Sequence, residues 1–249
     1  TILQNGSVFL PKEDRDMAEA VENVLKSYGV SVITGAGLKE IKEGTAVYTK
    51  NGEEDTLDGD AILLATGRGP NTEGLHAERA GVELTKRGAV VTDKHLRTTA
   101  ENIWAAGDVC GNLLDDSRII LSDMQGDGSR TTENRGAFAY SVFMEPSFSR
   151  AGLSEKEAAD KGLNYRVVRM NTDMIPKAKV LRKTTGMLKA VIDKDSGKIF
   201  GAALFCPESY EIINMVKLAM DHDLDYTVLR DFIYTHPTMS EGLNDLFAL

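Results

Sequence analysis

A histidine followed five residues later by a glutamate, in Tyr234-Thr235-His236-Pro237-Thr238-Met239-Ser240-Glu241, offers the parts of a proton-transfer site. An unperturbed imidazole titrates close to neutrality, so His236 suits moving a proton to and from a thiol. Glu241 can hydrogen-bond the second ring nitrogen and fix the tautomer, the part a third group plays beside a catalytic base. Two other stretches suit ligand contact. In Ala65-Thr66-Gly67-Arg68-Gly69-Pro70-Asn71 an apolar strand ends in Thr-Gly, so backbone can approach a ligand closely at Gly67. Arg68 can then face a phosphate or a nicotinamide edge. In Ile103-Trp104-Ala105-Ala106-Gly107-Asp108-Val109 a strand delivers Gly107 and Asp108 to its carboxyl end. There Asp108 can accept from a sugar or ribityl hydroxyl, and Gly107 leaves room for a phosphate. Each stretch also has a plain reading, as a strand-to-turn junction, a turn, and a structural or solvated histidine.

These residues need elements to carry them. Residues 1–4 read as a short apolar strand ended by Asn5-Gly6, and Pro11 with Glu13, Asp14 and Asp16 opens a helix with acids in its first turn, where the macrodipole favours them. Met17, Val21, Val24, Leu25 and Tyr28 form its apolar stripe, and Gly29 follows its last turn. A strand at 30–33 completes the αβ half of a parallel crossover unit. Segments 38–42, 45–50 and 53–57 form a meander turned by Asn51-Gly52. The apolar run 60–66 predicts a strand buried on both faces. A short helix at 75–80 and strands at 89–92 and 103–106 follow. Residues 111–136 are polar and rich in Gly and Asp, with only 119–121 apolar enough for a strand, and mark a boundary.

Beyond it, 141–144 is strand-like and Ser154-Glu155-Lys156-Glu157 resembles a capping box. Segments 165–170, 186–193 and 199–206 read as strands, the last two joined by Asp195-Ser196-Gly197. Helices at 210–221 and 228–232 lead to the His236 tract. Strands followed by helices imply an α+β domain with an antiparallel sheet, after a partial Rossmann-like α/β region.

Composition excludes several classes. The 249 residues are 42% hydrophobic and 27% charged, ordinary for a globular chain. No apolar run approaches the roughly 20 residues of a membrane helix. A balance of 29 Lys+Arg against 38 Asp+Glu, net −9, argues against nucleic acid as a partner. The basic cluster Lys177, Lys179, Arg182 and Lys183 reads as a solvated sheet face. Cys110 and Cys206 have neither C-x-x-C nor zinc-ligand spacing, so no metal site is expected, and a reducing cytoplasm fits. Cys206, at a strand end, reads as buried and inert. The chain starts at Thr1 inside a strand pattern, as a piece of something longer would.

As an ordered set, Ala65-Thr66-Gly67-Arg68-Gly69-Pro70-Asn71-Thr72, Ala106-Gly107-Asp108-Val109 and His236-Pro237-Thr238-Met239-Ser240-Glu241 resemble the carboxyl-terminal part of the pyridine nucleotide-disulfide oxidoreductases. This is the flavoenzyme family of dihydrolipoamide dehydrogenase, glutathione reductase and mercuric reductase, and the resemblance covers essentially the whole chain. Segments 175–182 and 201–206 are most similar to the mercuric-reductase-like branch that includes hypothiocyanous acid reductases. The resemblance implies electron flow from NAD(P)H to FAD, then to a redox-active cysteine pair outside this chain, and on to a small sulfur-containing substrate, a disulfide or a related sulfur compound, or to a mercuric one. It implies that Asp108 hydrogen-bonds the ribityl chain and that Gln4 and Asn5 lie near the adenosine ribose. It implies that His236 is the general acid/base, that Glu241 orients it, and that His236-Pro237 is cis.

The family's histidine serves the neighbouring subunit, which implies a homodimer through 136–249. Residues 1–68 and 69–135 then correspond to the second part of the NAD(P) domain and the trailing part of the FAD domain. Only 136–249 is expected to close a core unaided. Nothing matches G-x-G-x-x-G or a pair of cysteines separated by four residues, and the segment after Gly111 is shorter than the family's. The alternatives are an inactive dimerisation module with a partial nucleotide-binding surface, and an NAD(P)H oxidase of the same fold.

Overall fold

Strict alternation decides which way the central strands face. In the computed structural model, which describes residues 1–110 and 115–248, β9 (Met187–Asp193) and β10 (Ile199–Phe205) pair as an antiparallel hairpin. Leu188, Ala190 and Ile192 point to one side of β9, and Ala202 and Leu204 join them from β10. Against that side lies α5 (Ser209–Asp221), burying Ile212, Ile213, Val216 and Ala219. The hairpin is flanked by β8 (Tyr165–Asn171) and by β7 (Phe148–Gly152), with β6 (Ala139–Val142) at the edge. All pairs in the order β6-β7-β10-β9-β8 are antiparallel, as expected. Gly186 lets β9 start beneath β10: its φ is +123° and a Cβ there would lie 1.9 Å from the Phe205 carbonyl oxygen.

The other face of this sheet takes the chain's first helix. β1 (Ile2–Gln4) and β2 (Val32–Thr34) are parallel, joined across α1 (Arg15–Ser27), which is the expected crossover. Met17, Val21 and Val24 pack on Phe148, Ala203 and Phe205. Tyr28 departs from the predicted stripe: its ring is exposed and its hydroxyl donates to the Glu145 carbonyl at 3.2 Å. The meander forms as β3 (Gly37–Lys42), β4 (Thr45–Lys50) and β5 (Glu53–Asp58). Contacts thus group Thr1–Ile62 with Ala137–Leu249 in one unit and Leu63–Gly136 in another.

Charge fixes α1 on the sheet. Lys189, on β9, points away from Leu188 and Ala190 and is 2% exposed. Its ammonium lies 2.9 Å from Asp14, 3.1 Å from Asp16 and 2.6 Å from Glu155. Asp14 also accepts the Glu155 and Lys156 N–H groups at 3.0 and 3.1 Å, at the start of α3 (Glu155–Asp160). On β7, Arg150 donates to Glu157 at 3.0 Å and lies 3.6 Å from Glu13. The Tyr140 hydroxyl donates to Glu13 as well. Ser154 and Glu157 form the expected capping box.

Several expectations are corrected. Residues 60–66 are exposed and in no strand, with Leu63 89% exposed, because a strand buried on both faces needs flanking strands and none of the described residues pairs with it. Segments 89–92 and 103–106 make only the bridges Leu84–Val90, Thr92–Thr98 and Arg97–Trp104. Residues 119–121 lie in a helix, α2 (Asp116–Met124), whose buried Asp116, Ile119, Ser122 and Asp123 recur at helical spacing. The basic cluster sits on and just beyond α4 (Pro176–Leu181), not on a sheet face. β7 carries Ser149 and Arg150 inside, which hid it from a search for apolar runs. The 111–114 part of the boundary segment lies outside the described residues.

Replacing Lys189 by Met leaves three carboxylates facing one another beneath α1. We expect a loss of about 3 kcal/mol in urea unfolding, the scale for removing one partner of a buried ion pair. Burial alone would raise Asp14, but Lys189 and the α3 N–H groups outweigh it and hold its carboxyl below the usual range. Glu155 is lowered chiefly by Lys189. Both folded values are depressed, so the contribution is complete above about pH 4 and disappears as pH falls through them, which urea midpoints across pH 3–6 will read.

Candidate active site

His236 stands on the connection between α6 (Thr227–Asp231) and α7 (Gly242–Ala248). The loop is seated from below: Met239 is buried in the core shared with Leu243, Leu246 and α5. From the side, the Asn244 amide donates to the carbonyls of Leu229, Arg230 and Phe232 at 3.2, 2.7 and 2.9 Å. Burial pushes the neighbouring Tyr234 hydroxyl up to about 12. The His236 Nδ1 and a Glu241 Oε1 are 2.8 Å apart, while the other Glu241 oxygen accepts the Thr238 N–H at 2.8 Å. That N–H and the imidazole hold the Glu241 carboxyl below its ordinary range. The imidazole is 72% exposed, so its Nε2 edge can meet an external thiol. The His236-Pro237 bond is cis.

The second group lies in the unit Leu63–Gly136. Arg68 and Asp108 meet at 3.3 Å, both largely exposed. Asp108 sits in the 3-10 turn Gly107–Val109. Gly67 has φ +120° and Gly107 φ +77°, and in both a Cβ would meet nothing within 4 Å, leaving open space beside the backbone. An exposed carboxylate, an exposed guanidinium and uncovered glycine backbone fit a hydroxylated ligand. Gln4, in the unit that begins at Thr1, ends β1, and its carbonyl accepts the Ala36 N–H at 3.0 Å. The structure therefore joins His236 with Glu241 and Arg68 with Asp108.

A family model described as pyridine nucleotide-disulphide oxidoreductase matches residues 1–131, and that family's dimerisation domain matches residues 138–247. The chain belongs to the pyridine nucleotide-disulphide oxidoreductases. It is 46% identical over 255 residues to the probable pyridine nucleotide-disulfide oxidoreductase RclA of Escherichia coli, covering 100% of this chain and 58% of that protein. It is 32% identical to a mercuric reductase of Staphylococcus aureus, over 98% of this chain and 46% of that one. Among solved structures, the HOCl-induced flavoprotein disulfide reductase RclA from Escherichia coli superposes with a TM-score of 0.92 at 44% identity, over 100% of this chain and 58% of that one. The chain thus spans about half the length of the relatives it matches. The α/β region followed by a dimerisation region with an antiparallel sheet is the fold expected from the sequence.

Within this family fold, sequence reasoning missed the residues that hold the site rather than form it. Asn244 is one. Away from both groups, Asp123 was missed too: buried in α2, it accepts from Arg97 at 2.6 and 2.7 Å and from the Trp104 Nε1 at 2.8 Å. A polar residue at a buried helical position was the available signal. Cys206 is buried, and desolvation pushes its thiol up to about 12, which keeps it protonated at neutral pH. Cys110 is half-buried, its thiol directed at the Ala105 and Gly107 carbonyls. Among the described residues no helix is long and apolar enough to cross a membrane.

Two variants separate holding from forming. His236→Gln changes an exposed ring, so unfolding free energy stays within about 0.5 kcal/mol. Asp123→Ala strands Arg97 and Trp104 together and is expected to cost about 2 kcal/mol, with a shift in the emission of Trp104, the chain's one tryptophan.

Proposed function

We propose that the chain is part of an FAD-dependent NAD(P)H oxidoreductase that reduces a disulfide or a related sulfur substrate through a redox-active cysteine pair that this chain does not supply. The observation that carries this reading is the exposed His236 ring held by Glu241, in a chain of this family. With Nδ1 engaged by the carboxylate, the tautomer and ring plane are set, and Nε2 is the atom that takes a proton from a thiol and returns it. Glu241 stays anionic through its bond to the Thr238 N–H, so the orientation survives into mildly acidic solution.

Asp108 would hold a ribityl hydroxyl of FAD, with Gly67, Arg68 and Gly107 around it, and Gln4 would lie near the adenosine ribose of NAD(P)H. These residues fit the hydroxyl-bearing part of the cofactors; no G-x-G-x-x-G phosphate loop accompanies them in this chain. Bound FAD supplies the transfer of electrons from NAD(P)H to the disulfide. On this reading residues 1–68 belong to the NAD(P)-binding region, 69–135 to the FAD-binding region and 136–249 to a homodimer interface in a cytoplasmic enzyme. The exposed Phe232, Ile233 and Val228 near His236 support that interface.

In the holoenzyme, His236→Gln is expected to leave flavin reduction by NAD(P)H intact and to slow thiol–disulfide exchange by about 10²-fold, the scale of lost general acid/base help. Stopped-flow absorbance separates the two half-reactions. An unchanged oxidative half-reaction removes His236 from the mechanism.

A further inference from the structure

The turn that carries Asp108 has a support that comes from outside it. Gly107 opens a three-residue 3-10 turn, where the first N–H groups have no partner within the turn itself. Asp116, nine residues on and 1% exposed, accepts the Gly107 N–H at 2.8 Å. Its other oxygen accepts from the Arg135 guanidinium at 3.2 Å. The Arg135 side chain is itself 14% exposed, and its Nε is buried with no partner among the described residues. Asp116 stands in the first turn of α2, and among the described residues its two carboxylate oxygens bond the turn and Arg135.

The consequence is geometric. Upstream the Ala105 N–H is tied to the Leu96 carbonyl at 3.0 Å, and downstream the Val109 carbonyl accepts the Val90 N–H at 2.9 Å. Between those ties, Gly107 has the left-handed conformation that glycine adopts freely in either sense. The Gly107 carbonyl accepts the Cys110 N–H at 3.1 Å within the turn, and the Asp116 bond restrains the Gly107 N–H from outside it, one residue before Asp108. We propose that Asp116, charge-paired by Arg135, is a positioning residue that fixes the Gly107–Val109 turn so that Asp108 meets a hydroxyl of the flavin. The inference rests on the flavin-holding reading of Asp108 given above.

The test uses the full chain, with FAD as the probe and backbone amide NMR as the readout. Asp116→Ala is expected to speed exchange of the Gly107 amide and to weaken the FAD-induced shift titration of the Asp108 amide, each by about tenfold or more, the scale of a charge-assisted hydrogen bond. Asp116→Asn keeps an acceptor oxygen of the same shape and serves if the alanine variant does not fold; it is expected to fall between wild type and alanine in both readouts, with Trp104 emission unchanged. Faster Gly107 exchange with unaltered FAD affinity overturns the positioning role, and unaltered Gly107 exchange overturns the contact. Asp108→Asn is run in parallel. If it binds FAD as wild type does, or if wild type shows no shift at Asp108, the flavin reading itself falls. A failure of the inference alone is recognised because Asp108→Asn still loses affinity.

Discussion

A lysine ammonium shut away from water must have anions within reach, and that constraint organises the larger unit. Strand alternation turns Lys189 to the face of the sheet opposite Leu188 and Ala190, whatever lies there. Its charge is tolerated because Asp14 and Asp16 arrive from the start of α1 and Glu155 from the start of α3. One residue therefore ties the starts of two helices to the sheet. Arg150 repeats the arrangement two strands away, with Glu13 and Glu157. The acids that favour the N-terminus of α1 by its dipole are thus the same ones that bind it to the sheet, and local and tertiary preferences agree.

The two candidate ligand-facing groups are held in different ways. His236 is an exposed ring on a loop whose own weight of packing lies underneath, in Met239, and whose backbone is gathered by Asn244. The orientation of its ring is set by a short chain of bonds, from the Thr238 N–H to Glu241 to the imidazole. Asp108, in contrast, is on a turn in a region with little apolar packing, where buried acids take over the work of a core: Asp116 beneath the turn, and Asp123 binding Arg97 to Trp104. Removing polar groups there resembles removing core side chains elsewhere.

Legibility in the sequence followed the physics of each element. The capping box at Ser154, the parallel crossover around α1 and the β9–β10 hairpin were readable because local pattern and final structure ask for the same residues. The pairing of His236 with Glu241 was readable because five residues separate them. Residues 60–66 misled because an apolar run specifies a strand only when neighbours exist to bond it. β7 escaped because two of its four buried residues, Ser149 and Arg150, are polar, satisfied by Ser209, Ser141 and Glu157 from other elements. Lys189 and Asp116 could not be found by spacing, since their partners lie up to 175 positions away in one case and depend on a glycine's backbone in the other.

The ion pair between Arg68 and Asp108 has a bearing on salt. A neutral hydroxyl that hydrogen-bonds Asp108 competes with the guanidinium 3.3 Å away. Both groups are exposed, so added electrolyte screens their attraction. Rising ionic strength therefore weakens the ion pair while leaving a neutral donor almost unaffected, so a polyol bound at Asp108 would meet less competition. A phosphate drawn to Arg68 responds in the opposite sense. A ligand bearing both groups, hydroxyls for Asp108 and phosphates for Arg68, would meet this surface with two salt dependences of contrary sign, each reporting on one end of the molecule.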